Sequence, residues 1–480
     1  MTKSQSLFEQ FRATIQTNNI IADLANGLIG HHAIISGPLG NRPMLYADYV
    51  ASGRALRQIE DFVLTELLPF YANSHTEASY VGGFMTRLRR EARDILRAEV
   101  NASKDHAVIF TGSGATAGIN RIAHLICLKE MVSKRLTPVV LIGPYEHHSN
   151  ILPWRESGAE VIEIPEAEGG GPCMTSLSQT LERVIGRPIV GAFSAASNVS
   201  GIVTDVVAVT RVLKAAGAIV VWDYAGGAPY LPIDLCPAND ALIDAVVVSP
   251  HKFVGGPQAT GVLILRHDIV QANTPTLPGG GTVRFVSPTS HDYSGNVEVR
   301  EEAGTPNVIG DLRAALCFIV KSVITQDFIT KRNRENLAKG MDAWMPHPNI
   351  EILGNTQCDR LPIFSFRLRD GKGGFVHQQL VTRLLSDCFG VQARGGCACA
   401  GPYVHRILDI GKNASDAMRS EILSGNEIEK PGFVRLNFSY LATDAEVNRI
   451  ISAVLELADS AGDHVERYSC DPTTAIFIPT

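Results

Sequence analysis

No stretch of this chain holds the roughly 18 consecutive apolar residues that a bilayer-spanning helix needs. The opening segment MTKSQSLFEQFRATIQ is polar and amphipathic and lacks the apolar centre of a signal peptide, so a cytoplasmic location is the expectation, with no membrane partner. Excess positive charge is lacking too. The 43 Lys and Arg stand against 49 Asp and Glu, a net charge of −6, which argues against nucleic acid or another polyanion as partner. Cysteine is sparse, at nine residues in 480. Cys127, Cys236, Cys317 and Cys388 sit singly inside apolar segments, as reduced core residues do, and not in the pattern of a disulfide framework. Only Cys397 and Cys399 lie close together. Without a second Cys or His pair nearby, their C-x-C spacing does not suggest a structural zinc, and no metal is expected. Internal repeats and low-complexity tracts are also missing.

A chain of 480 residues with 45% hydrophobic and 19% charged composition is globular and too long for one core, so two or more domains are expected. From about residue 85, helix-period segments alternate with short β-branched runs: HAVIFTG, PVVLIG, VIEIP, PIVGAFSA, AIVVWD, AVVVSP and GVLIL. Such runs, separated by helix-sized segments such as RLRREARDILRAEV and GINRIAHLICLKEMV, predict βαβ units and a largely parallel sheet covered on both faces, an α/β domain. Residues 272–307 are rich in Gly, Pro, Ser and Thr without a clear period, and in a compact enzyme a loop of that length is more often functional than a linker. Beyond a long helix in DLRAALCFIVKSVI, the runs IEILG, RLPIFSFRLR and VRLNFSYL and the helices around FVHQQLVTRLLSDCFG and EVNRIISAVLELADSAG predict an α+β C-terminal domain. The tail HVERYSCDPTTAIFIPT remains unassigned.

Four segments end their strands in polar residues, and in open α/β sheets ligands gather at the carboxyl ends of the strands. FTGSGATAGIN places Ser113 and Thr116 in a Gly-rich turn entering a helix, whose N–H groups and positive end suit a phosphate. AIVVWD ends on Asp223, a carboxylate that must find a cation or hydrogen bonds if buried. LIGPYEHHSN carries His147 and His148, of which at most one should face a site because adjacent extended residues point to opposite faces. VVVSPHKFVGG brings Lys252 where a buried strand runs into a turn. A phosphate cradle, a carboxylate, an aromatic ring and an amine on successive strands together match the needs of pyridoxal 5'-phosphate.

These motifs resemble those of fold-type I pyridoxal-phosphate enzymes of the class V aminotransferase group, and within it the cysteine desulfurases and selenocysteine lyases. The resemblance runs from YADYVASG near residue 46 to the last long helix. It implies a large domain with a mostly parallel seven-stranded sheet flanked by helices, at 46–335. It also implies a smaller α+β domain at 336–480 and an N-terminal segment, 1–45, packing with that small domain. The family's S-x-H-K segment matches Ser249, His251 and Lys252, with Lys252 carrying the cofactor. Asp223 corresponds to the strand-end aspartate, His147 to the ring-stacking histidine of E-H-H-x-N, Ala115 and Thr116 to the phosphate turn, and Asn198 of S-N-x-x-G to a contact of the cofactor's phenolic oxygen. Gly281 and Thr282 of LPGGGT would reach the cofactor phosphate of a second subunit, which implies a homodimer.

For the substrate end, the resemblance implies Cys399 of ARGGCACAGP as nucleophile, with Cys397 an extra thiol. Arg435 of FVRLNFSYL corresponds to the clamp on the substrate α-carboxylate, a task suited to a bidentate guanidinium. Arg394 and His75 complete the implied substrate-binding set. The implied activity removes sulfur from L-cysteine, gives L-alanine and leaves a persulfide on Cys399, for passage to a sulfur-acceptor protein. C–S lysis, epimerisation or transamination on the same scaffold would need Lys252, Asp223 and Arg435 but not Cys399. The chain departs from the family in having Gly226 where a glutamine stands three residues after the aspartate. It also carries some twenty additional residues between the cysteine loop and Arg435.

Overall fold

The computed structural model describes residues 6–74 and 76–480. The chain forms two compact units, one of residues 1–29, 52–195 and 204–326, the other of residues 30–51, 196–203 and 327–480. The expected boundaries at 45/46 and 335/336 differ from this division. The first helix, Leu7–Ile15, opens on a capping box between Ser6 and Glu9. Its Arg12 pairs with Glu99 at 2.6 Å and donates to Ser322, contacts that belong to the first unit.

The first unit is built on seven strands: β1 (His106–Gly112), β2 (Val139–Ile142), β3 (Glu160–Glu163), β4 (Ile189–Ser194), β5 (Ile219–Asp223), β6 (Ala245–Val248) and β7 (Gly261–Arg266). Their order is β1-β7-β6-β5-β4-β2-β3. The pairs β2–β3, β2–β4, β4–β5 and β5–β6 are parallel, and β7 runs antiparallel to both β1 and β6. All seven runs predicted from sequence are strands, because continuous Val/Ile runs of this length need cover on both faces. One core layer joins Ile119, Ile122 and Trp154 to Val140, Val190, Val221 and Leu263 of the sheet.

Two local predictions change. The run GINRIAHLICLKEMV forms two helices, Gly114–Leu125 and Leu128–Ser133, broken at Cys127 in a left-handed conformation (φ 56°). No Gly or Pro marks that break, so sequence alone reads through it. The 272–307 stretch holds a hairpin, β8 (Val283–Val286) with β9 (His291–Tyr293), and a helix, Val297–Glu301.

The second unit carries a four-stranded antiparallel sheet of β10 (Ile350–Ile352), β11 (Ile363–Leu368), β12 (Arg394–Gly396) and β13 (Phe433–Asn437), in the order β10-β11-β13-β12. Helices Gln378–Phe389 and Asp444–Ser460 cover it, and Trp344, Phe364, Phe366 and Phe438 fill its core. The additional segment before Arg435 forms a helix, Lys412–Leu423, and the unassigned tail forms a hairpin of Tyr468–Asp471 with Ile476–Pro479. Among the described residues no helix is long and apolar enough to cross a membrane.

Candidate active site

In the first unit β1, β2, β4, β5 and β6 all point the same way, so the turns that follow them share one edge of the sheet. The turn after β1 is left-handed at Gly112 (φ 84°) and Gly114 (φ 60°), a conformation that glycine adopts without penalty. A Cβ on Gly114 would stand 2.8 Å from Ser249 Oγ and 3.0 Å from His251 Cε1. The first turn of helix Gly114–Leu125 is thus pressed against the segment after β6. Ala115 N–H donates to Ser249 Oγ at 3.0 Å, and Thr116 Oγ1 lies exposed, 2.6 Å from Ser149 Oγ. These residues assemble helix N–H groups and hydroxyls on one small surface, the donor set a phosphate takes.

Asp223 ends β5 and is only 4% exposed. Its Oδ1 accepts the Ala225 N–H at 2.7 Å. Burial pushes its carboxyl above the usual range, while that hydrogen bond and the charge of Lys252 pull it back. Lys252 itself is half-buried in the 3₁₀ turn Pro250–Lys252. Burial, and then the charge of Lys252, push the His251 imidazole down to about 4, so His251 is neutral near pH 7. The charge of Lys252 thus acts on both Asp223, at the end of the adjacent strand, and its own neighbour His251.

His147 Nδ1 accepts the Ser149 N–H at 3.1 Å, which leaves the ring proton on Nε2. Beside it, Glu146 is a site residue that sequence reasoning did not single out. It is 3% exposed; Oε1 accepts Ser194 N–H at 2.8 Å, and Oε2 accepts Ser194 Oγ and Asn150 Nδ2, both at 2.6 Å. Asn150 Oδ1 in turn accepts Trp154 Nε1. Burial pushes the Glu146 carboxyl up to about 7; these hydrogen bonds oppose the shift and repulsion from Asp223 adds to it. Ser194 is the β4 partner of Asp223 in the sheet register, so the network lies directly beside the strand-end carboxylate.

Two glycines fix the turns. Gly53 N–H donates to His251 O at 2.9 Å, and a Cβ there would stand 1.7 Å from Phe253 O. Gly261, the first residue of β7, would bring a Cβ to 2.5 Å from the N and Cα of Gly114. Both were visible in sequence, Gly53 inside YADYVASG and Gly261 before VLIL, but nothing local showed what approaches them. Within the glycine-rich loop, Gly281 has φ 87° and Thr282 is fully buried, its hydroxyl donating to Gly279 O at 2.6 Å. Gly304 of EEAGTPN donates from its N–H to Gly280 O. His75 lies outside the described residues.

In the second unit Arg435 lies on the inner strand β13, directly across from Arg394 on β12. Like charges in facing positions destabilise a sheet. Asp48, another residue not singled out from sequence, resolves the conflict by holding Arg435 Nη2 on Oδ1 at 2.9 Å and Arg394 Nε on Oδ2 at 3.0 Å. Arg435 is 4% exposed and donates from Nη1 to Asn198 O at 3.1 Å, whereas the Arg394 side chain is 52% exposed. Asn198 Nδ2 donates to Ala398 O at 2.8 Å, and its buried Oδ1 has no hydrogen-bond partner among the described residues. The Arg394 guanidinium, implied as a substrate-binding group, is thus directed at Asp48.

That loop is a tight turn. Ala400 N–H donates to Cys397 O at 3.2 Å, and the two central residues, Ala398 and Cys399, have φ of 50° and 55°. Positive φ at both centres with a closing hydrogen bond defines a type I′ turn, whose usual residues are Asn, Asp and Gly. Left-handed backbone costs an L-residue roughly 1–2 kcal/mol. Among the described residues no other two consecutive non-glycine residues share positive φ. The strained turn leaves Cys399 exposed and Cys397 half-buried.

The sequence profile of the Aminotransferase class-V family matches residues 45–450, which span both the Lys252 edge of the first unit and the Arg435 sheet of the second. The chain belongs to the class-V aminotransferase family. Among relatives of this class-V chain, a cysteine desulfurase of Pectobacterium atrosepticum is 28% identical over 382 residues, covering 77% of this chain and 88% of that protein. A probable cysteine desulfurase of Staphylococcus aureus is 26% identical over 393 residues, covering 81% and 91%. The fold is that of the cysteine desulfurase of Thermococcus onnurineus (TM-score 0.72, 22% identity, 87% of this chain and 95% of that one). A cysteine desulfurase of Escherichia coli shares it too (TM-score 0.67, 22% identity, 95% and 98%). The class-V fold, with its large seven-stranded unit, is therefore as the motifs implied.

Proposed function

We propose that this chain takes the sulfur atom of L-cysteine onto Cys399 as a persulfide and releases L-alanine, with pyridoxal phosphate carried on Lys252. The names of its relatives support the reaction. The observation that carries the cofactor is the buried Asp223 carboxylate, which lies within reach of the Lys252 charge and is pushed upward by desolvation. Such a group gains most from a second, fixed cation, and a protonated pyridine nitrogen is one. The cofactor's phosphate fits the surface made by the first turn of helix Gly114–Leu125 with Thr116, Ser249 and His251, where a Cβ at Gly114 would have no room. Neutral His251 donates there without competing as a cation. His147 would stack on the cofactor ring, and Asn198 would contact its phenolic oxygen.

When bound, pyridoxal phosphate supplies the electron sink that makes the substrate α-proton acidic. Lys252 moves that proton, Arg435 takes the substrate carboxylate with Arg394 and His75 in support, and Asp223 keeps the pyridine nitrogen protonated. Cys399 as thiolate attacks the substrate sulfur; the Cβ–Sγ bond breaks and Cβ ends as the methyl group of alanine. Presentation of Cys399 on an exposed, strained turn suits a nucleophile that must afterwards meet an acceptor protein. The exposed Phe285 and Val286 on the neighbouring hairpin support a homodimer, in which Gly281 would serve the partner's phosphate site and Thr282 would first have to release its buried hydroxyl from Gly279 O. Nine free cysteines suit the reducing cytoplasm.

The test is incubation of the purified protein with L-cysteine while alanine and sulfide are measured. Intact protein is expected to form both, Cys399→Ala to form neither, and Lys252→Ala to lose turnover together with its visible absorption. Alanine formation that survives Cys399→Ala would exclude the persulfide route.

A further inference from the structure

The turn that presents Cys399 holds a second thiol at its first position. Cys397 follows β12 directly, and the hydrogen bond from Ala400 N–H to Cys397 O closes the turn across Ala398 and Cys399. Its scaffold is fixed from both sides. On one side Gly396 lies so close to β13 that a Cβ on Gly432 would meet its backbone at 2.9 Å. On the other, Ala400 is fully buried and opens helix Gly401–Ile407, whose Tyr403 hydroxyl donates to Ser200 Oγ at 3.0 Å. Between them Asn198 Nδ2 grips the carbonyl of Ala398, the residue separating the two cysteines. Two Cα steps of about 3.8 Å joined at left-handed Ala398 (φ 50°) put the Cα atoms of Cys397 and Cys399 about 5–6 Å apart, inside the Cα range of about 4.4–6.8 Å that a disulfide requires. Neither thiol can drift away from the other without breaking this frame. Cys399 is the exposed member and Cys397 the half-buried one, so the outer thiol is the better placed to meet substrate.

We propose that Cys397 resolves the persulfide on Cys399. The inference rests on the desulfurase reading of Cys399. Cys397 as thiolate attacks Cys399 Sγ, the bond between Sγ and the outer sulfur breaks, and the outer sulfur leaves with the electron pair as hydrosulfide. The sulfane sulfur is reduced to sulfide while the two cysteines are oxidised to a Cys397–Cys399 disulfide, which a dithiol reductant then reopens. Hydrosulfide is a weaker base than an alkyl thiolate and leaves the more readily for it. A chain with this device delivers its sulfur as free sulfide under thiol supply, in addition to any direct handover from Cys399.

The experiment uses pre-reduced holoenzyme freed of reductant and mixed with equimolar L-cysteine, followed by intact-mass and peptide-mass analysis. Wild type is expected to form alanine, release sulfide without added thiol, and lose two hydrogens as the 397–399 disulfide. Cys397→Ser is expected to form the same burst of alanine but to keep one added sulfur on Cys399 and to lose the sulfide release. Equilibration with glutathione buffer, without cysteine, gives a readout independent of turnover: an internal disulfide in wild type, a glutathione adduct at Cys399 in Cys397→Ser. The proposal is overturned if wild type retains its persulfide with Cys397 reduced, if the sulfur moves intact to Cys397, or if Cys397→Ser releases sulfide as wild type does. Absence of alanine from both proteins would instead overturn the desulfurase reading, and the resolving role with it.

Discussion

Replacing Glu146 by Gln isolates one buried proton. In wild type, burial raises the Glu146 carboxyl from 4.5 to about 7, a difference worth about 3 kcal/mol between its two protonation states. A carboxyl whose folded-state affinity for protons exceeds its unfolded one stabilises the fold at low pH. That contribution is complete below about pH 4.5 and is lost as pH rises toward 7 and above. The neutral acid must also donate its proton, and of the groups bonded to it only the Ser194 hydroxyl can accept, since Ser194 N–H and Asn150 Nδ2 are donors. Glutamine cannot titrate, and one end of its amide must turn an NH₂ toward one of those donors, a mismatch of about 1–3 kcal/mol. Wild type is therefore expected to exceed Glu146→Gln in stability most at acid pH, with the gap shrinking by about 3 kcal/mol by mildly alkaline pH. Urea unfolding of both proteins over a pH series, followed by tryptophan fluorescence, measures the gap; Trp154 belongs to the same network. Other titrating groups, such as the buried Asp311 raised to about 7, are common to both proteins and cancel in the difference. A gap constant across that pH range would refute the placement of the proton.

Asp48→Asn leaves the facing guanidinia of Arg394 and Arg435 without their shared counter-charge. Loss of one partner from a buried pair costs about 3–5 kcal/mol, and the half-exposed Arg394 places this case at the lower end. A lowered urea midpoint together with a raised KM for L-cysteine is expected; an unchanged midpoint would show that water replaces Asp48. Gly261→Ala pushes a methyl group into the Gly114 backbone, an overpacking of about 1–3 kcal/mol delivered to the phosphate turn itself. Cofactor retention in equilibrium dialysis is expected to weaken by tenfold or more, and retention equal to wild type would remove Gly114 from the cradle.

Much of this molecule is local in origin. Each of the seven strands in the large unit is a self-contained β-branched run. Asp223 and Lys252 stand out because a polar group ends such a run, a contrast that needs no partner to be seen. The break at Cys127 has no sign in the sequence because a left-handed residue without glycine leaves no compositional mark. The division at residues 29/30 and 326/327 likewise depends on which helices Arg12 and its neighbours meet across the chain.

The amino-acid order alone determined the α/β alternation, the strand ends that bear chemistry, and the thiol pair in one short loop, since each is encoded within a dozen residues. Only the tertiary structure decided that Asp48 separates two arginines, that burial raises the Glu146 carboxyl beside Asp223, that Gly53 and Gly261 admit passing backbone, and that Cys399 stands on a strained turn. The physical reason is the same in every case. Charge, desolvation and steric room at a residue are set by groups brought near it from distant segments, and those groups have no signature at the residue's own place in the chain.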